Sequence, residues 1–249
     1  MRNLKLTLAY DGTNYCGWQV QPGQPTIQQA VETTLEKITG ESIRVAASGR
    51  TDSGVHALGQ VISFSTSGQL TPHEFLRALN AELPEDIRVH DAVEVAADFH
   101  ALRSARSKCY RYTIDNGAVR DVFARHVCWY IPVRLDVEAM HRAGQALVGE
   151  HDFSSYETTG AARADSVRHV TRLDVVRGKG QLVDKVLLEI EANGFLYNMV
   201  RAITGTLVEV GRGAKSESWP AEVLAARDRS RAGMTAPPEG LALLRVDYD

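Results

Sequence analysis

"IRVAASGRTDSGVHALGQVISFST", residues 43–66, holds two strand-like runs with no helix between them. The first run covers residues 43–47 and the second covers residues 60–66, and a connection containing Gly49 and Gly54 joins them. The first run is mostly apolar and the second holds Val61, Ile62 and Phe64, whereas the connection carries glycines and several polar residues, which is typical of two strands separated by a loop. A pair of successive strands with a helix on each side is the centre of a split strand–helix pattern.

The flanking sequence supplies those helices and two outer strands. Alternating apolar and polar residues predict a strand over residues 3–10, and a second such run predicts a strand over residues 87–95. Apolar residues at helical spacing predict a helix over residues 26–40, with Thr26 at its N-cap and Gly40 at its end. The "TPHE" stretch at residues 71–74 has the signature of a capping box and opens a second helix that ends near residue 82.

The second half repeats much the same order. Strands are predicted over residues 108–114, 167–176, 182–190 and 241–246, and helices over residues 136–149, 195–210 and 220–228. We therefore predict an α+β chain of two ferredoxin-like (βαββαβ) halves with antiparallel sheets, residues 1–105 and 106–249. We expect a binding cleft between the halves.

Composition places the chain among ordinary globular proteins. Its 249 residues are 44% apolar and 24% charged, and no apolar run reaches the length of a signal peptide or a membrane span. We expect a cytoplasmic protein. Cys16, Cys109 and Cys128 lie far apart, which argues against a disulfide framework. The eight histidines show no close helical spacing, so no metal site is predicted.

Charge is distributed unevenly along the chain. The net charge is −3, yet residues 103–134 carry seven basic and two acidic side chains, while residues 74–98 carry seven acidic and two basic ones. A one-sided distribution suits a protein that binds a polyanion, and it equally suits a solvated strand face.

Asp52 is the one acidic residue in "GRTDSGVHALGQV", residues 49–61. Arg50 would favour the ionised form of this carboxylate and can also hold a phosphate. Gly49 and Gly54 allow a substrate to come close to the backbone. His56 is more simply explained as a structural hydrogen-bonding residue.

Two further stretches carry candidate site residues. In "KCYRYTI", residues 108–114, alternation puts Tyr110 and Tyr112 on one face of a strand and Arg111 on the other. The tyrosines suit either cross-strand packing or stacking on a nucleobase. Arg201 lies within an almost wholly apolar predicted helix, where its charge needs a partner, and Asp52 is a plausible one.

Taken together, these stretches resemble the tRNA pseudouridine synthase A family. The resemblance is carried by "GRTDSGVHA" at residues 49–57, "YRY" at 110–112 and "NGFLYNMVR" at 193–201. "YDGTNYCGWQ" at residues 10–19 and "EGLALLRVDY" at 239–248 extend it over essentially the whole chain.

The resemblance implies isomerisation of uridine to pseudouridine at positions 38 to 40 of the tRNA anticodon stem-loop. It makes Asp52 the nucleophile, which adds to a flipped-out uridine at the base or at the sugar C1′. It makes Tyr110 the residue that stacks on the target base, Arg201 the basic partner of the aspartate, and Arg50 an aid to base flipping. It also implies a homodimer whose subunits both contact one tRNA, and it implies no cofactor or metal and no membrane association.

One position departs from the family pattern. The family reads Phe-x-Ala-Arg where this chain has "FHAL" at residues 99–102, and Arg103 follows one place later. Either Arg103 makes the usual contact from a shifted backbone or that contact is missing. Arg103 and Arg111, both in the basic region, are candidate substrate-binding residues.

Two other functions remain open from the residues alone. A catalytically inert RNA-binding module of the ferredoxin-like type needs aromatic residues on its sheet but no reactive carboxylate. A carboxylate-dependent hydrolase of a glycoside or nucleoside usually has two acids together, whereas this loop has one acid beside an arginine.

Overall fold

The computed structural model of the chain describes residues 1–158 and 165–248. These residues group into two compact units. The first consists of Met1–Arg106 together with the chain from Ala242 onward, and the second is Ser107–Leu241.

The sheet of the first unit has β1 at its centre. β1 (Arg2–Tyr10) pairs antiparallel with β4 (Ile87–Val95) on one side and with β3 (His56–Thr66) on the other. The short strand β2 (Ala46–Ala47) pairs antiparallel with β3, and β10 (Leu241–Asp247) pairs parallel with β3. Alternate β1 side chains are fully buried, as the predicted apolar alternation requires.

Both helices of the first unit begin and end as predicted. α1 (Ile27–Thr39) has Thr26 as its N-cap, and Gly40 ends it in the left-handed conformation with φ of 71°. α2 (Pro72–Glu82) opens with a complete capping box between Thr71 and Glu74. These boundaries depend on hydrogen bonds between residues three or four apart, which the local sequence encodes directly.

The strand predicted over residues 43–47 is shorter than expected. Only Ala46–Ala47 pairs with β3, although Ile43 and Val45 are buried. The reason is a side chain from α1, because the Glu32 carboxylate accepts the Val45 N–H at 3.0 Å. Val45 therefore uses its backbone donor on a helix residue and leaves the strand ladder.

The second unit has a four-stranded antiparallel sheet in the order β5, β9, β8, β7. β5 (Ser107–Asp115) pairs with β9 (Lys185–Ala192), β9 with β8 (Val167–Arg177), and β8 with β7 (Gly149–Asp152). The two-residue strand β6 (Trp129–Tyr130) pairs parallel with β5. β6 and β7 were not predicted, because such short strands leave no periodic signal.

The helices of the second unit are α3 (Val137–Gly144), α4 (Met199–Gly211) and α5 (Trp219–Ala226). α3 ends about five residues earlier than predicted, because a 3₁₀ turn and β7 follow it. α4 begins four residues later than predicted, because Asn198 adopts the left-handed conformation with φ of 62° and stops the helix there.

The last strand of the chain, β10, has a partner in the first unit. β10 pairs with β3 through Ala242 and Leu243, and the chain from Ala242 onward clusters with the first unit. A side chain at Gly59 would meet the Leu244 carbonyl oxygen at 2.4 Å, so glycine at this position of β3 permits the close approach. Within the described residues, no helix is both long enough and apolar enough to cross a membrane.

Candidate active site

The loop that carries Asp52, residues 48–55, connects β2 to β3 and is hydrogen-bonded on both sides of the carboxylate. The hydroxyls of Thr51 and Tyr10 lie 2.8 Å apart, and both side chains are buried. Burial raises the pKa of the Tyr10 hydroxyl to about 12, so this phenol is neutral at pH 7. The Gln60 amide donates to the Gly49 carbonyl at 2.9 Å. Asp52 itself is only half-buried, so this hydrogen-bonded loop leaves part of the residue open to solvent.

Residues 10–19 form the support on which this Asp52 loop lies. The Trp18 N–H donates to the Thr51 carbonyl at 3.0 Å, and the Gly54 N–H donates to the Tyr15 carbonyl at 3.3 Å. A side chain at Gly17 would meet the Thr51 carbonyl oxygen at 2.7 Å, and Gly17 also has a positive φ of 85°. Glycine at this position therefore allows the two segments to touch.

His56 binds the turn that follows β1. Its buried ring places Nδ1 3.0 Å from the Gly12 nitrogen and 3.1 Å from Asp11 Oδ1. Because Nδ1 accepts the Gly12 N–H, it has no proton to donate to Asp11, so we assign the Gly12 contact as the hydrogen bond of this nitrogen. The structural explanation of His56 agrees with this geometry.

Arg50 and Arg103, both predicted to bind substrate, are exposed on the first unit. Neither side chain has a hydrogen bond or ion pair to any residue in the ranges 1–158 and 165–248. Arg103 lies in a turn that also contains Ala101 and Leu102. Ala101 is buried, and its N–H donates to Ser63 Oγ at 3.0 Å, whereas the Leu102 side chain is about half exposed. The turn thus exposes Arg103 one place after the usual arginine, and its contact with substrate stays a prediction.

Tyr110 and Tyr112 are both buried at alternate positions of β5, as predicted, but they have different surroundings. The Tyr110 ring packs edge-to-face against Phe195, with centroids 5.0 Å apart. Tyr112 donates its hydroxyl to the Pro237 carbonyl at 2.7 Å and packs edge-to-face against Trp129. Tyr112 is therefore a core residue, and Tyr110 is the candidate for contact with a base.

Arg111 lies at the intervening position of β5 and forms a cross-strand ion pair. Its Nε and Nη2 atoms donate to Glu189 Oε1 at 2.9 and 2.6 Å, and Arg172 donates to the other carboxylate oxygen at 3.2 Å. Burial acts to raise the pKa of Glu189, but the hydrogen bonds and charges of the two arginines outweigh it and hold the pKa below its ordinary value. Arg111 is thus engaged within the sheet, and its role as a substrate ligand stays a prediction.

Arg201 lies in the first turn of α4 and has hydrogen-bond partners within its own unit. Its Nη1 donates to Asn198 Oδ1 at 2.7 Å, and its Nε donates to the Ala236 carbonyl at 2.7 Å. Asn198 is held in turn by donating to Thr158 Oγ1 at 3.1 Å. The predicted pairing of Arg201 with Asp52, a residue of the other unit, stays a prediction.

A short backbone segment, residues 233–236, lies directly on α4; we call it the 233–236 strap. The Gly233 N–H donates to Thr206 Oγ1 at 2.9 Å, and the Ala236 N–H donates to the Arg201 carbonyl at 3.1 Å. A side chain at Gly205 would meet the Met234 carbonyl oxygen at 1.9 Å. This glycine therefore lets the strap approach closely enough to orient Arg201.

Sequence reasoning did not identify Asn198 or the strap as neighbours of Arg201. The sequence offers two signals. Asn198 stands three residues before the arginine and belongs to a residue type that tolerates positive φ, and Gly205 lies within a predicted helix. Neither signal shows which distant segment approaches.

Metal ligation finds no support in the parts of the chain that the structure describes. There, no group of three or more His, Cys, Asp and Glu side chains is arranged to hold an ion. Cys16, Cys109 and Cys128 form no disulfide among the described residues.

Comparison with known proteins gives the same family as the motifs. The family model described as "tRNA pseudouridine synthase" matches residues 7–102 and 143–249. A tRNA pseudouridine synthase A from Moorella thermoacetica (strain ATCC 39073 / JCM 9320) is 50% identical over 98% of this chain and 99% of its own length. Proteins of the same name from Myxococcus xanthus and Geotalea uraniireducens (strain Rf4) are 47% and 44% identical over 100% of this chain, covering 92% and 100% of their own lengths.

All three relatives have the same name and match nearly the full length of this chain. The matched length includes the Asp52 loop, the strand with Tyr110 and the first turn of α4. The family model covers most of the chain, and the relatives match nearly all of its length at close to half of the positions. The chain belongs to the tRNA pseudouridine synthase A family, isomerases that convert uridine in tRNA to pseudouridine.

Proposed function

We propose that this chain isomerises uridine to pseudouridine at positions 38, 39 and 40 of the tRNA anticodon stem-loop, with Asp52 as the nucleophile. The observation that carries the proposal is the Asp52 loop. Its backbone is hydrogen-bonded to Tyr15, Trp18 and Gln60, while part of Asp52 remains open to solvent. A fixed but accessible carboxylate suits covalent attack on a substrate held in one geometry.

The reaction conserves every atom of the nucleotide. The target uridine leaves the base stack, and the Asp52 carboxylate adds to the base or to C1′. The N1–C1′ bond breaks, the uracil turns, and a C5–C1′ bond forms. C5 then loses its proton, N1 gains one, and the bond to Asp52 breaks, so the carboxylate is regenerated and no oxidant or energy donor is consumed.

The other candidate residues have supporting roles in this proposal. Tyr110, fixed by Phe195, would stack on the uracil and help to move the C5 proton. Arg201, oriented by Asn198 and Ala236, would be the basic partner of the aspartate. Arg50 is exposed on the Asp52 loop and would assist base flipping.

We extend the proposal to the architecture of the enzyme. Two ferredoxin-like halves, residues 1–105 and 106–249, are supported in the first unit by the antiparallel order β4, β1, β3, β2. By likeness to the family, we propose a homodimer that works in the cytoplasm, with both subunits contacting one tRNA.

The test is incubation with an unmodified tRNA transcript, followed by carbodiimide treatment and primer extension. The wild-type chain is expected to produce stops at positions 38 to 40, whereas Asp52→Asn is expected to bind tRNA and produce none. Asp98→Asn, which removes an exposed carboxylate elsewhere in the first unit, is the matched control and should retain activity.

The same experiment separates the alternatives. Full modification by Asp52→Asn would reject the aspartate as nucleophile. Tight tRNA binding by the wild-type chain without any stop would favour an inert RNA-binding module. Free uracil released from the tRNA would favour a hydrolase.

A further inference from the structure

A loop that follows β5 and contains none of the candidate site residues presents an exposed aromatic ring between basic side chains. The loop covers residues 117–127, "GAVRDVFARHV", and we call it the 117–127 loop. Phe123 is 92% exposed, and Val119 and Val122 are 83% and 60% exposed. Arg120 and Arg125 are exposed on either side of the phenylalanine.

The base of this loop is held by a buried lysine. Lys185 is 6% exposed, and its Nζ lies 3.1 Å from Asp115 Oδ1 and 3.1 Å from Asp121 Oδ2. Burial acts to lower the pKa of Lys185, but hydrogen bonds to both carboxylates outweigh it and hold the pKa above its ordinary value. Both acidic residues of the basic region therefore face one lysine, which offsets one of their two negative charges, and neither Arg120 nor Arg125 takes part in these two ion pairs.

Hydrogen bonds within the loop fix the turn that presents Phe123. Asp121 Oδ1 accepts the N–H groups of Phe123 and Ala124 at 3.0 and 3.3 Å. Arg125 Nη1 donates to the Val122 carbonyl at 2.8 Å. The phenylalanine is thus presented on an ordered turn, so a partner can bind it with little further ordering cost.

The chemistry of this surface fits unpaired RNA. A phenyl ring offers a face on which a nucleobase can stack, and arginines beside it can bind the adjacent phosphates. We propose that the 117–127 loop is a second RNA contact of the enzyme, in which Phe123 stacks on an unpaired nucleotide of the tRNA and Arg120 and Arg125 bind neighbouring phosphates. The inference rests on the proposed function only for the identity of the RNA.

Charge favours RNA over a second copy of this chain. In a symmetric contact between copies, the loop arginines would approach their own counterparts, and the one carboxylate of the loop, on Asp121, is already paired with Lys185. A polyanion meets no such repulsion.

Binding of a labelled, unmodified tRNA transcript, measured by fluorescence anisotropy, tests the stacking residue. Phe123→Ala and Phe123→Leu are expected to raise the Kd about 5- to 150-fold, because each loses the aromatic face, and Phe123→Tyr should stay within about twofold of wild type. Since Phe123 is almost fully exposed, the unfolding midpoints of all three variants should match wild type. Wild-type affinity in Phe123→Leu would overturn the proposal.

Salt dependence tests the arginines separately. Arg125→Gln should reduce the slope of log K against log salt concentration by about 0.7 to 0.9, because one phosphate contact is lost, and Arg125→Lys should keep the slope. The Phe123 variants should weaken binding without changing the slope. An unchanged slope in Arg125→Gln would contradict a phosphate contact at that residue.

A direct readout places a fluorescent ring on the loop. Phe123→Trp should show indole quenching when unmodified tRNA is added, and Val119→Trp, on the same loop, should show much less.

Light scattering at the same protein concentration tests whether the loop instead joins two copies of the chain. A smaller assembly mass in Phe123→Ala than in wild type would make the loop a contact between copies and overturn the proposal. Failure of the proposed function is seen independently, as absence of carbodiimide-dependent stops with wild-type enzyme.

Discussion

Replacement of Gly205 by alanine would disturb the close contact between α4 and the 233–236 strap, next to Arg201. Gly205 lies in the middle of α4, and its added Cβ would stand 1.9 Å from the Met234 carbonyl oxygen and 3.0 Å from the Met234 carbonyl carbon. Both atoms belong to the backbone of the 233–236 strap, so no side-chain rotation relieves the overlap. To restore an ordinary contact of 3.4 Å, the strap must retreat by about 1.5 Å.

Three effects determine the size of the change. Overpacking of a close contact costs about 1 to 3 kcal/mol. A retreat of the strap weakens the bonds from Gly233 to Thr206 and from Arg201 to Ala236, at about 1 kcal/mol each. Alanine recovers about 1 kcal/mol through its better helix propensity. The strain is larger than the gain, so Gly205→Ala should lower the free energy of unfolding by about 2 to 4 kcal/mol.

Urea unfolding measures the stability, and the carbodiimide primer-extension assay measures the activity. Because Arg201 Nε bonds to the strap, we expect Gly205→Ala to lower the rate of pseudouridine formation by about tenfold even where the protein is fully folded, which corresponds to about 1.4 kcal/mol in the barrier. The affinity for tRNA should change little, since the strap orients one side chain and leaves the exposed arginines in place.

Gly211→Ala is the matched control, because it lies on the same helix and its added Cβ would also stand closer than 3.0 Å to another atom. Its Cβ would meet Met140 Sδ at 2.6 Å, but this is the end of a flexible side chain that can move away. We expect a cost below about 1 kcal/mol and normal activity. Equal stability losses in the two variants, or a Gly205→Ala variant as stable as wild type, would refute the reasoning.

Three further changes test other contacts of the second unit. Lys185→Met leaves the buried Asp115 carboxylate unpaired and should cost about 3 to 5 kcal/mol in urea unfolding, whereas Lys179→Met, at an exposed lysine, should cost under about 0.5 kcal/mol. Because the pKa of Lys185 is raised on folding, the stability gap between wild type and Lys185→Met should be full below about pH 10 and shrink as the pH rises through the folded value; a gap that grows with alkaline pH would contradict the pairing. Tyr112→Phe removes the hydrogen bond to Pro237 and should cost about 1 kcal/mol while activity stays within about twofold; a large loss of activity would place Tyr112 in the site.

The candidate site divides into a part that is local in sequence and a part that is not. The local part can be read from the sequence. Asp52 is the one acidic residue of its loop and has Arg50 two positions away, and strand alternation puts Tyr110 and Tyr112 on the same side of β5. The partner of Arg111 is Glu189, 78 residues away, and strand register alone brings the two together. No pattern around Arg111 indicates that its charge is used inside the sheet.

The fold divides in the same way. The starts of α1 and α2 follow from the local sequence, because Thr26, Thr71 and Glu74 cap these helices through hydrogen bonds between residues three positions apart. The local sequence also determines the apolar faces of β1 and β5, because side chains alternate along a strand whatever the strand pairs with.

The places where distant segments meet are visible only in the folded chain. α4 begins at Met199 and not in the apolar run before it, because Asn198 takes a left-handed backbone and holds Arg201. The last strand pairs with β3, and the 233–236 strap lies on α4, because Gly59 and Gly205 leave room for a backbone from far along the chain. Such approaches depend on the absence of a side chain, and a glycine in a sequence does not say what will fill the space beside it.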